Sequence, residues 1–320
     1  MNSNPILIIA GEPFSIFSEI LVKTLRKKKF KKPLILIASF NLIKEQTKFF
    51  GYNAPINIIN KDFKKSDLKK NKINLINVDF KYKKFFTKIT NLSYNYNKKC
   101  FELALKLIKK KKFSGLINGP ISKKNFLKKN DLGITEFLAR KTNTKKFAML
   151  IFNKKLSVCP VTTHVPLKKV SSLISKKKII DNVHLIKKFY KKYFKIDPKI
   201  AITGLNPHCE SNFRDSEEKN IIKPAIKSLQ KFYYNISGPH PADSLFIKNN
   251  VKNFDVVVGM FHDQVLTPLK SLHNFDAINI TLGLPFLRIS PDHGTNNQML
   301  GKNLSNPESL IESIKFLDQR

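Results

Sequence analysis

Short apolar runs recur along the chain, and most are separated by segments in which apolar residues return at helical spacing. Runs of this kind, rich in β-branched residues, are typical of strands buried on both faces of a parallel sheet. The segments between them, such as residues 100–112 and 219–232, are long enough for the helices that connect parallel strands. The pattern therefore predicts an α/β fold, with strands at residues 6–10, 34–38, 73–78, 115–118, 148–152, 156–163, 199–205, 254–261 and 277–282.

Two parts of this pattern predict local structure in more detail. The residues between the runs 148–152 and 156–163 are too few for a parallel crossover, so an antiparallel hairpin is predicted there. Near the C-terminus, Asn306 can cap a helix and Pro307 suits its first turn. The buried face of that last helix is predicted to contain Leu310, Ile311, Ile314 and Leu317.

The segment 185–194, LIKKFYKKYF, has the composition of a basic and aromatic binding surface, but its periodicity favours a helix that packs on the core. The four-residue spacing places Ile186, Tyr190 and Phe194 on one helix face. The four lysines are predicted to lie largely away from that face, in solvent: Lys187, Lys188, Lys191 and Lys192.

Three histidines, His164, His208 and His262, each follow a strand-like run closely. In open α/β sheets, ligands bind beyond the carboxyl ends of the strands. Three imidazoles delivered there could bind one divalent metal and leave one coordination position open. A single histidine near a strand end is more often structural or solvated, so the repeated setting leaves a shared metal site as one of two open interpretations.

Length and composition indicate a cytoplasmic protein with two domains. The chain has 320 residues, of which 42% are apolar, enough for two packed cores. No secretory leader is expected, since the first apolar run is short and lacks a basic lead, and no stretch approaches the roughly 18 apolar residues of a membrane helix. Three widely spaced cysteines argue against a disulfide framework. Cys209 adjoins His208 and could be a nucleophile, but a buried thiol is the favoured interpretation.

The formal net charge of +36 suggests a nucleic-acid partner, but the kind of charge argues against one. Of the 59 basic residues only five are Arg, the residue that does most bidentate reading of phosphates and bases. The lysines are spread along the whole chain, and the abundance of Lys, Asn, Ile and Phe fits an A+T-rich coding sequence. A non-catalytic protein that binds nucleic acid is kept as an alternative.

The polar motifs indicate a small anionic ligand and leave several familiar sites unsupported. No G-x-G, C-x-x-C or H-E-x-x-H motif occurs, which argues against a Rossmann fingerprint, a Walker A loop, a zinc knuckle and a zincin peptidase. Lys270, Asn279 and Arg288 offer an ammonium, an amide and a guanidinium, which suit a phosphorylated or carboxylated ligand. Each of them alone is more often a surface residue.

Nine motifs, in order along nearly the whole chain, resemble those of the 4-hydroxythreonine-4-phosphate dehydrogenase family, NAD(P)-dependent enzymes of pyridoxal 5′-phosphate biosynthesis. They include Gly-Glu-Pro at 11–13, Thr-His-Val-Pro-Leu at 163–167 and Gly-Leu-Asn-Pro-His at 204–208. The others are residues 118–123, 133–139, 238–246, 260–264, 281–285 and 290–295.

This resemblance implies a fold like that of isocitrate and isopropylmalate dehydrogenases, with two α/β/α domains that flank a cleft. The first domain would comprise residues 1–125 and 290–320, from both chain ends. The second, residues 126–289, would carry most of the metal and substrate residues. The family also implies a homodimer with the site at the subunit interface, and metal ligands drawn from both subunits.

The resemblance also assigns site residues position by position. The ligands of a divalent metal, with zinc favoured over magnesium or cobalt, would be His164, His208 and His262. The substrate contacts would be Thr135, Lys270, Asn279 and Arg288. NAD or NADP would bind at Asp292, Gly294 and Thr295. Three residues are candidates for catalytic roles, Lys270 as the base for the substrate hydroxyl and Asp243 and Asp263 to orient ligand imidazoles.

The implied reaction oxidises the 3-hydroxyl group of 4-phosphooxy-L-threonine. The product, 2-amino-3-oxo-4-phosphooxybutanoate, would then lose CO2 to give 3-amino-2-oxopropyl phosphate. A metal at the hydroxyl would lower its pKa and would later stabilise the enolate formed by decarboxylation.

Three segments depart from the family pattern. Ile134 stands where the family has histidine, so one hydrogen bond to the substrate is expected to be lost, at a cost of roughly 1.5–3 kcal/mol. Residues 14–18, Phe-Ser-Ile-Phe-Ser, replace a glycine-rich turn and are expected to bring bulk to a turn that faces the cleft. In the altered segment 296–300, Gln298 replaces a carboxylate near the expected adenosine, which leaves NAD or NADP open.

These departures leave three interpretations: sequence drift with retained activity, a dehydrogenase of another phosphorylated hydroxy acid, or a degenerate non-catalytic homologue. An acyl-phosphate transferase of similar fold is disfavoured, because it would not need three metal-binding histidines.

Overall fold

The structure is a computed structural model that describes residues 4–127, 133–209, 214–273 and 277–320. The chain divides into two units, Met1–Ile134 with Phe286–Arg320, and Thr135–Pro285. The strands are β1 (Ile6–Ile9), β2 (Leu34–Ala38), β3 (Ile56–Ile58), β4 (Ile73–Asn77), β5 (Gly115–Asn118), β6 (Ala148–Phe152), β7 (Ser157–Thr162), β8 (Ile200–Thr203), β9 (Ile236–His240), β10 (Val256–Phe261), β11 (Ile278–Leu282) and β12 (Arg288–Pro291).

Helices alternate with these strands along most of the chain. The α-helices are α1 (Phe17–Lys27), α2 (Phe40–Phe49), α3 (Leu92–Lys110), α4 (Lys123–Phe126), α5 (Ile134–Lys141), α6 (Val170–Leu173), α7 (Lys176–Tyr193), α8 (Lys223–Gln230), α9 (Ala242–Leu245), α10 (Lys248–Val251), α11 (His262–His273) and α12 (Glu308–Asp318). A π-helical turn, Glu218–Ile222, leads directly into α8. No helix in the described ranges has both the length and the apolarity needed to cross a membrane.

The first unit contains a parallel sheet with the strand order β3-β4-β2-β1-β5-β12. Every residue of β1 and β2 is buried. Helix α3 packs against β1 and β2, and α12 packs against β1, β5 and β12. Burial on both faces explains why the central strands consist of unbroken apolar residues rather than an alternation. The predicted α/β class is confirmed.

The second unit contains a mixed sheet with the order β11-β6-β7-β10-β8-β9. The pairs β11–β6 and β6–β7 are antiparallel, and the remaining three pairs are parallel. The predicted hairpin is thus confirmed, with Ile151 opposite Val158. The core of this unit includes Met149, Val158, Val257 and Val265, contributed by three neighbouring strands and by α11. Since β7, β10, β8 and β9 run in the same direction, their carboxyl ends lie along one edge.

The unit boundaries differ from the domain boundaries expected from the sequence. Those boundaries placed residues 126–289 together, whereas the chain re-enters the first unit at Phe286. The reason is that β12 pairs in parallel with β5, with Arg288 opposite Leu116. Arg288 therefore lies in the first unit.

Helix α7 confirms the core-facing prediction for the segment 185–194 and corrects one detail. Ile186 and Tyr190 are buried, as the periodicity predicts. Lys187, predicted to lie in solvent, is only 6% exposed. Its Nζ donates a hydrogen bond to Asp197 Oδ1 at 2.6 Å and lies near the Tyr233 ring. The long alkyl stem can be buried because the charged end finds a carboxylate and an aromatic face.

Helix α12 confirms the helix predicted for the C-terminal segment, but it begins one residue later than predicted, with Pro307 at the N-cap position rather than in the first turn. Asn306 Oδ1 accepts a hydrogen bond from the Glu308 backbone N–H at 2.9 Å. The four residues predicted to form the buried face are all buried: Leu310, Ile311, Ile314 and Leu317.

Candidate functional site

Four neighbouring strands of the second unit each deliver a candidate site residue to the same edge of the sheet. The order of these strands is β7-β10-β8-β9, and all are parallel. Ligands in open α/β sheets bind at this carboxyl edge. The residues are His164 after β7, His262 after β10, His208 after β8 and Asp243 after β9.

The structure brings two of the three histidines together. The ring centroids of His164 and His262 are 5.9 Å apart. Nδ1 of His262 lies 2.6 Å from Oδ1 of Asp263, so in the tautomer with a proton on Nδ1 the Nε2 lone pair is available to a metal. Neutral imidazoles of this kind are suitable zinc ligands. Within the described part of one chain, however, no three His, Cys, Asp or Glu side chains lie close enough to hold a metal ion. The three-histidine site stays a prediction.

The loop that carries His208 has an unusual backbone. His208 and Cys209 both lie in the left-handed region, with φ of +59° and +56°. Non-glycine residues pay roughly 1–3 kcal/mol for such conformations, which persist only where the surroundings hold them. Cys209 is buried, and burial raises the pKa of its thiol, with the nearby Glu218 and Asp243 carboxylates adding to the effect. The interpretation of Cys209 as a buried thiol is confirmed.

A buried carboxylate, that of Glu218 in the π-helical turn, holds this loop and was not predicted from the sequence. Its Oε1 accepts hydrogen bonds from the backbone N–H groups of Leu205 at 2.7 Å and Asn206 at 2.8 Å. Its Oε2 accepts another from Nδ2 of Asn206 at 2.8 Å. Burial acts to raise the pKa of Glu218, but the hydrogen bonds from Asn206 and Leu205 outweigh it and lower the pKa. Glu218 is therefore ionised at neutral pH.

Gln264 joins the ends of β8 and β10. Its Oε1 accepts hydrogen bonds from Oγ1 of Thr203 at 2.9 Å and from the backbone N–H of Met260 at 2.7 Å. Its Nε2 donates to the carbonyl oxygen of Gly204 at 2.7 Å. One side chain thus links the strand ends that precede His208 and His262.

The predicted substrate residues of the second unit include one local group. Oγ1 of Thr135, on α5, lies 3.3 Å from Oγ1 of Thr281, on β11. Asn279 lies two residues before Thr281, and side chains at this spacing share a face of the strand. Oδ1 of Asn279 is buried and has no hydrogen-bond partner within the described residues. This face therefore holds the buried Oδ1 of Asn279 near two hydroxyl groups that contact each other, of which Thr281 was not predicted.

Lys270 is separated from the histidine cluster. It lies on α11, eight residues after His262, and is exposed. At 1.5 Å per residue the two backbone positions are about 12 Å apart along the helix axis. A single copy of α11 thus does not bring Lys270 next to His262.

In the first unit, Arg288 is buried beside one of the motifs. It is 3% exposed, and its Nε donates to Oδ1 of Asn118 at 2.8 Å. The motif of Asn118 is in backbone contact with the Gly-Glu-Pro motif, because the Glu12 N–H donates to the Pro120 carbonyl oxygen at 2.8 Å. The two motifs pack so closely that Gly119 has no room for a side chain, because its Cβ would lie 2.2 Å from the Ala10 carbonyl oxygen.

The altered segment 14–18 is buried in this unit, which corrects the expectation that its bulk faces a cleft. Phe14 and Phe17 are each 2% exposed. The Phe14 ring makes an edge contact with Phe80, and Phe17 begins α1 close to Gly119. The side chains that replace the family's glycines fill the core.

Three residues predicted to bind a dinucleotide lie in the loop after β12. The Asp292 N–H donates to Oγ of Ser309 at 2.7 Å, which ties the loop to α12. Gly294 is exposed, with open space where a Cβ would stand, and Thr295 is half-buried. His293, between them, was not predicted. Burial lowers its pKa, against the nearby Asp292 charge, and its buried Nε2 has no partner within the described residues.

The Gly-Glu-Pro motif places a carboxyl group in the interior. Glu12 is 1% exposed, and burial raises its pKa although hydrogen bonds, including those from the Phe14 N–H and Asn97, act to lower it. Its Oε1 and the Oδ1 of Asn97 are buried without partners among the described residues. A protonated carboxyl adds one donor to this cluster.

We expect Glu12→Gln to become increasingly stabilising, relative to the unchanged chain, as the pH rises above the ordinary glutamate range. In the unfolded chain the Glu12 carboxyl ionises at its ordinary pKa, whereas in the folded protein it stays protonated to a higher pH. Between these two pKa values the free energy of unfolding of the unchanged chain falls by at most about 1.4 kcal/mol per pH unit. Urea unfolding of both proteins at about pH 5 and pH 8 measures this change. Glu102→Gln, at an exposed position on α3, is the control. A difference that stays constant with pH would contradict the assignment.

Comparisons with known proteins agree with this arrangement. The model of the family described as pyridoxal phosphate biosynthetic protein PdxA matches residues 29–317. A 4-hydroxythreonine-4-phosphate dehydrogenase of Sulfurihydrogenibium sp. (strain YO3AOP1) is 40% identical over 316 residues, which are 97% of this chain and 96% of that protein. A D-threonate 4-phosphate dehydrogenase of Salmonella typhimurium is 30% identical over 330 residues, 100% and 99% of the two chains.

The fold leads to the same relatives. The crystal structure of 4-hydroxythreonine-4-phosphate dehydrogenase from Klebsiella pneumoniae has a TM-score of 0.82 to this chain, at 26% identity, and the match covers 99% of each. Family model, relatives and solved structure together span almost every residue. The chain therefore belongs to the PdxA family, the dehydrogenases of pyridoxal phosphate biosynthesis.

Proposed function

We propose that this protein catalyses the NAD- or NADP-dependent oxidation of 4-phosphooxy-L-threonine to 2-amino-3-oxo-4-phosphooxybutanoate, which decarboxylates to 3-amino-2-oxopropyl phosphate. The observation that carries the proposal is the delivery of His164, His262 and His208 to one sheet edge by the neighbouring strands β7, β10 and β8. The identity to a relative of that name over 97% of the chain supports the substrate.

The residues have distinct proposed roles. His164, His208 and His262 hold a divalent metal, for which zinc is favoured by the all-nitrogen donor set. When bound, the metal lowers the pKa of the substrate hydroxyl and stabilises negative charge on its oxygen. Asp263 orients the His262 imidazole through Nδ1, at 2.6 Å, and Asp243 is the candidate for the same role elsewhere in the cluster.

The remaining residues bind the organic ligands in this proposal. Lys270 takes the proton from the substrate hydroxyl, and Arg288 binds an anionic end of the substrate. Thr135 and Asn279 contact its polar groups, for which the buried Oδ1 of Asn279 has an acceptor available. Asp292, Gly294 and Thr295, in the loop after β12, would hold NAD or NADP, which would supply the hydride acceptor for the oxidation.

We also propose a cytoplasmic homodimer whose second copy completes the site. Two observations support this: the described part of one chain gathers no three metal-binding side chains, and Lys270 lies about 12 Å along α11 from His262. The three cysteines are free and buried, as is usual in a reducing compartment. Neither a membrane nor a nucleic acid is needed as a partner.

A second candidate is oxidation of D-threonate 4-phosphate, which carries a hydroxyl where the first substrate has an amino group. The Salmonella typhimurium relative of that name is 30% identical to the whole chain. Ile134, which is apolar and 8% exposed where the family pattern has a substrate-contacting histidine, motivates a substrate other than the first.

The test is formation of reduced nicotinamide by the purified protein with each phosphorylated substrate, with NAD or NADP, and with or without added zinc. We expect metal-dependent turnover with 4-phosphooxy-L-threonine at a kcat/KM above that with D-threonate 4-phosphate. His208→Ala is the control that must lose the metal-dependent part. Preference for D-threonate 4-phosphate would replace the first proposal with the second. No turnover of either by folded, metal-loaded dimer would contradict both.

A further inference from the structure

We propose that Glu218 is a positioning residue, whose buried carboxylate fixes the backbone of residues 204–209 and thereby presents His208 to the metal. The inference rests on the proposed function, since it takes His208 to be a metal ligand. Glu218 does not itself bind the metal in this account, and it acts through the peptide groups of the loop.

The carboxylate is placed to hold the loop at its first turn. One oxygen accepts two consecutive backbone N–H groups, of Leu205 at 2.7 Å and Asn206 at 2.8 Å. The other accepts Nδ2 of Asn206 at 2.8 Å, so backbone and side chain of that residue are both fixed. Glu217 adds a further acceptor for the same Nδ2 at 3.0 Å. Charge-assisted bonds of this kind are stronger and more directional than neutral ones.

The loop requires such support because its conformation is otherwise unfavourable. His208 and Cys209 follow one another in the left-handed region, although neither is glycine. Strained backbone of this kind is found where the surroundings over-determine it and where function needs the geometry. Glu218 is 1% exposed, and both of its buried oxygens accept hydrogen bonds from this turn.

Gly204, at the start of the loop, lies close to both the far end of the loop and this carboxylate. A Cβ on Gly204 would lie 2.5 Å from Sγ of Cys209 and 3.0 Å from Oε1 of Glu218. The absence of a side chain at Gly204 therefore lets Cys209 and the Glu218 carboxylate both approach its backbone.

This support is connected to the strand that carries His262. Gln264 bonds the carbonyl of Gly204 at 2.7 Å and the N–H of Met260 at 2.7 Å. Glu218 holds the next peptide groups of the same loop. Gln264 fixes the ends of β8 and β10 relative to each other, and Glu218 holds the loop that continues from β8.

The experiment compares three substitutions of Glu218 in the full-length protein. Glu218→Ala removes both oxygens of the Glu218 carboxylate, Glu218→Asp keeps the charge but draws it back from the N–H groups, and Glu218→Gln keeps one uncharged acceptor oxygen at the same side-chain length. The matched control is Asp318→Ala, which removes a carboxylate that accepts the consecutive N–H groups of Lys31 and Lys32 in the other unit, at 3.0 and 2.7 Å.

The measurements are Co2+ affinity from visible absorption and amide hydrogen exchange of residues 204–209 in metal-free protein, with urea unfolding for overall stability. We expect Glu218→Ala and Glu218→Asp to weaken Co2+ binding roughly 10–100-fold and to speed exchange in the loop. Glu218→Gln should lose less affinity than Glu218→Ala, because one oxygen can still accept the two backbone N–H groups, and Asp318→Ala should lose none. If the alanine variant does not fold, the Asp and Gln variants carry the same comparison.

Two results would overturn the inference. They are wild-type Co2+ affinity in Glu218→Asp, which would indicate a role of charge alone if Glu218→Gln loses affinity, and equal losses in Asp318→Ala at matched stability. Failure of the proposed function gives a different result. The unchanged protein then binds no Co2+, or His208→Ala binds Co2+ as tightly as the unchanged protein. Either result removes His208 from the metal ligands, and with it the positioning role of Glu218.

Discussion

Replacing His262 with alanine is expected to lower metal-dependent kcat/KM roughly 1,000-fold. A catalytic metal supplies several kcal/mol of transition-state stabilisation, and each 1.36 kcal/mol is tenfold in rate. His262 begins α11 directly after β10, its ring is 5.9 Å from that of His164, and Asp263 engages its Nδ1. Removing the imidazole takes away a ligand and leaves this carboxylate without its partner.

The measurement is steady-state turnover together with bound zinc per subunit, on protein whose unfolding midpoint is unchanged. His184→Ala is the matched control, because His184 is exposed on α7 and its ring lies beside Tyr233. We expect that control to keep its activity and its metal. Retention of activity within about tenfold by His262→Ala, with normal zinc content, would remove His262 from the ligand set.

Lys270→Met is expected to reduce kcat by roughly 10²–10⁴-fold, the range for loss of a general base, without weakening metal binding. Methionine keeps the length and the apolar stem of the side chain but cannot accept a proton. Lys270 is exposed near the end of α11, so stability should change little. The metal ligands lie elsewhere on the chain, which is why zinc content should not change.

The relevant measurement separates kcat from KM, since Lys270 is proposed both to contact the substrate and to take its proton. Removal of a general base lowers kcat. Removal of an anchor, meaning a residue that only binds the substrate, raises KM at unchanged kcat. Lys270→Arg retains the positive charge and should not restore kcat. Lys227→Met, at an exposed position on α8, controls for removal of a surface charge. A rise in KM alone would make Lys270 an anchor.

In this proposal each active site takes Lys270 and His262 from different subunits of the dimer. If Lys270 acts beside the metal, a copy of α11 other than the one that contributes His262 must supply it, because about 12 Å of helix separates the two positions. Mixed dimers of His262→Ala and Lys270→Met chains would therefore regain part of the activity that either variant lacks alone. Failure to complement would place both residues in the same chain's site.

The regular strands could be predicted from the sequence because a strand that is buried on both faces appears there as a run of apolar residues. The strands β1, β2 and β6 are continuous apolar runs in the sequence, and the structure begins each of them at the predicted residue. Three strands lack such a run and were not predicted. β3 has only three residues and is partly exposed, β9 contains Gly238 and Pro239, and β12 begins with Arg288 and ends in Pro291. Their pairing depends on neighbouring strands rather than on their own composition.

The candidate site likewise contains residues that the sequence predicts and residues that only the structure reveals. The histidines could be predicted, since each stands just after a recognisable strand, and the parallel neighbours β7, β10 and β8 bring those strand ends together. Glu218 and Gln264 could not, because nothing in a sequence marks a carboxylate or an amide as the acceptor for a distant turn. Gln264 bonds Gly204, 60 residues away along the chain, and only folding makes them neighbours.

The sequence by itself determined the α/β class, the hairpin of β6 and β7, the last helix and the residue types that can bind a metal and an anion. These follow from periodicity and side-chain chemistry, which are local properties. The tertiary structure alone decided that Arg288 belongs to the first unit, that Lys187 is buried, that Phe14 and Phe17 fill the core, and that Glu12 and Glu218 are buried with opposite pKa shifts. These follow from non-local contacts, since desolvation and hydrogen bonds from distant segments set the state of a side chain.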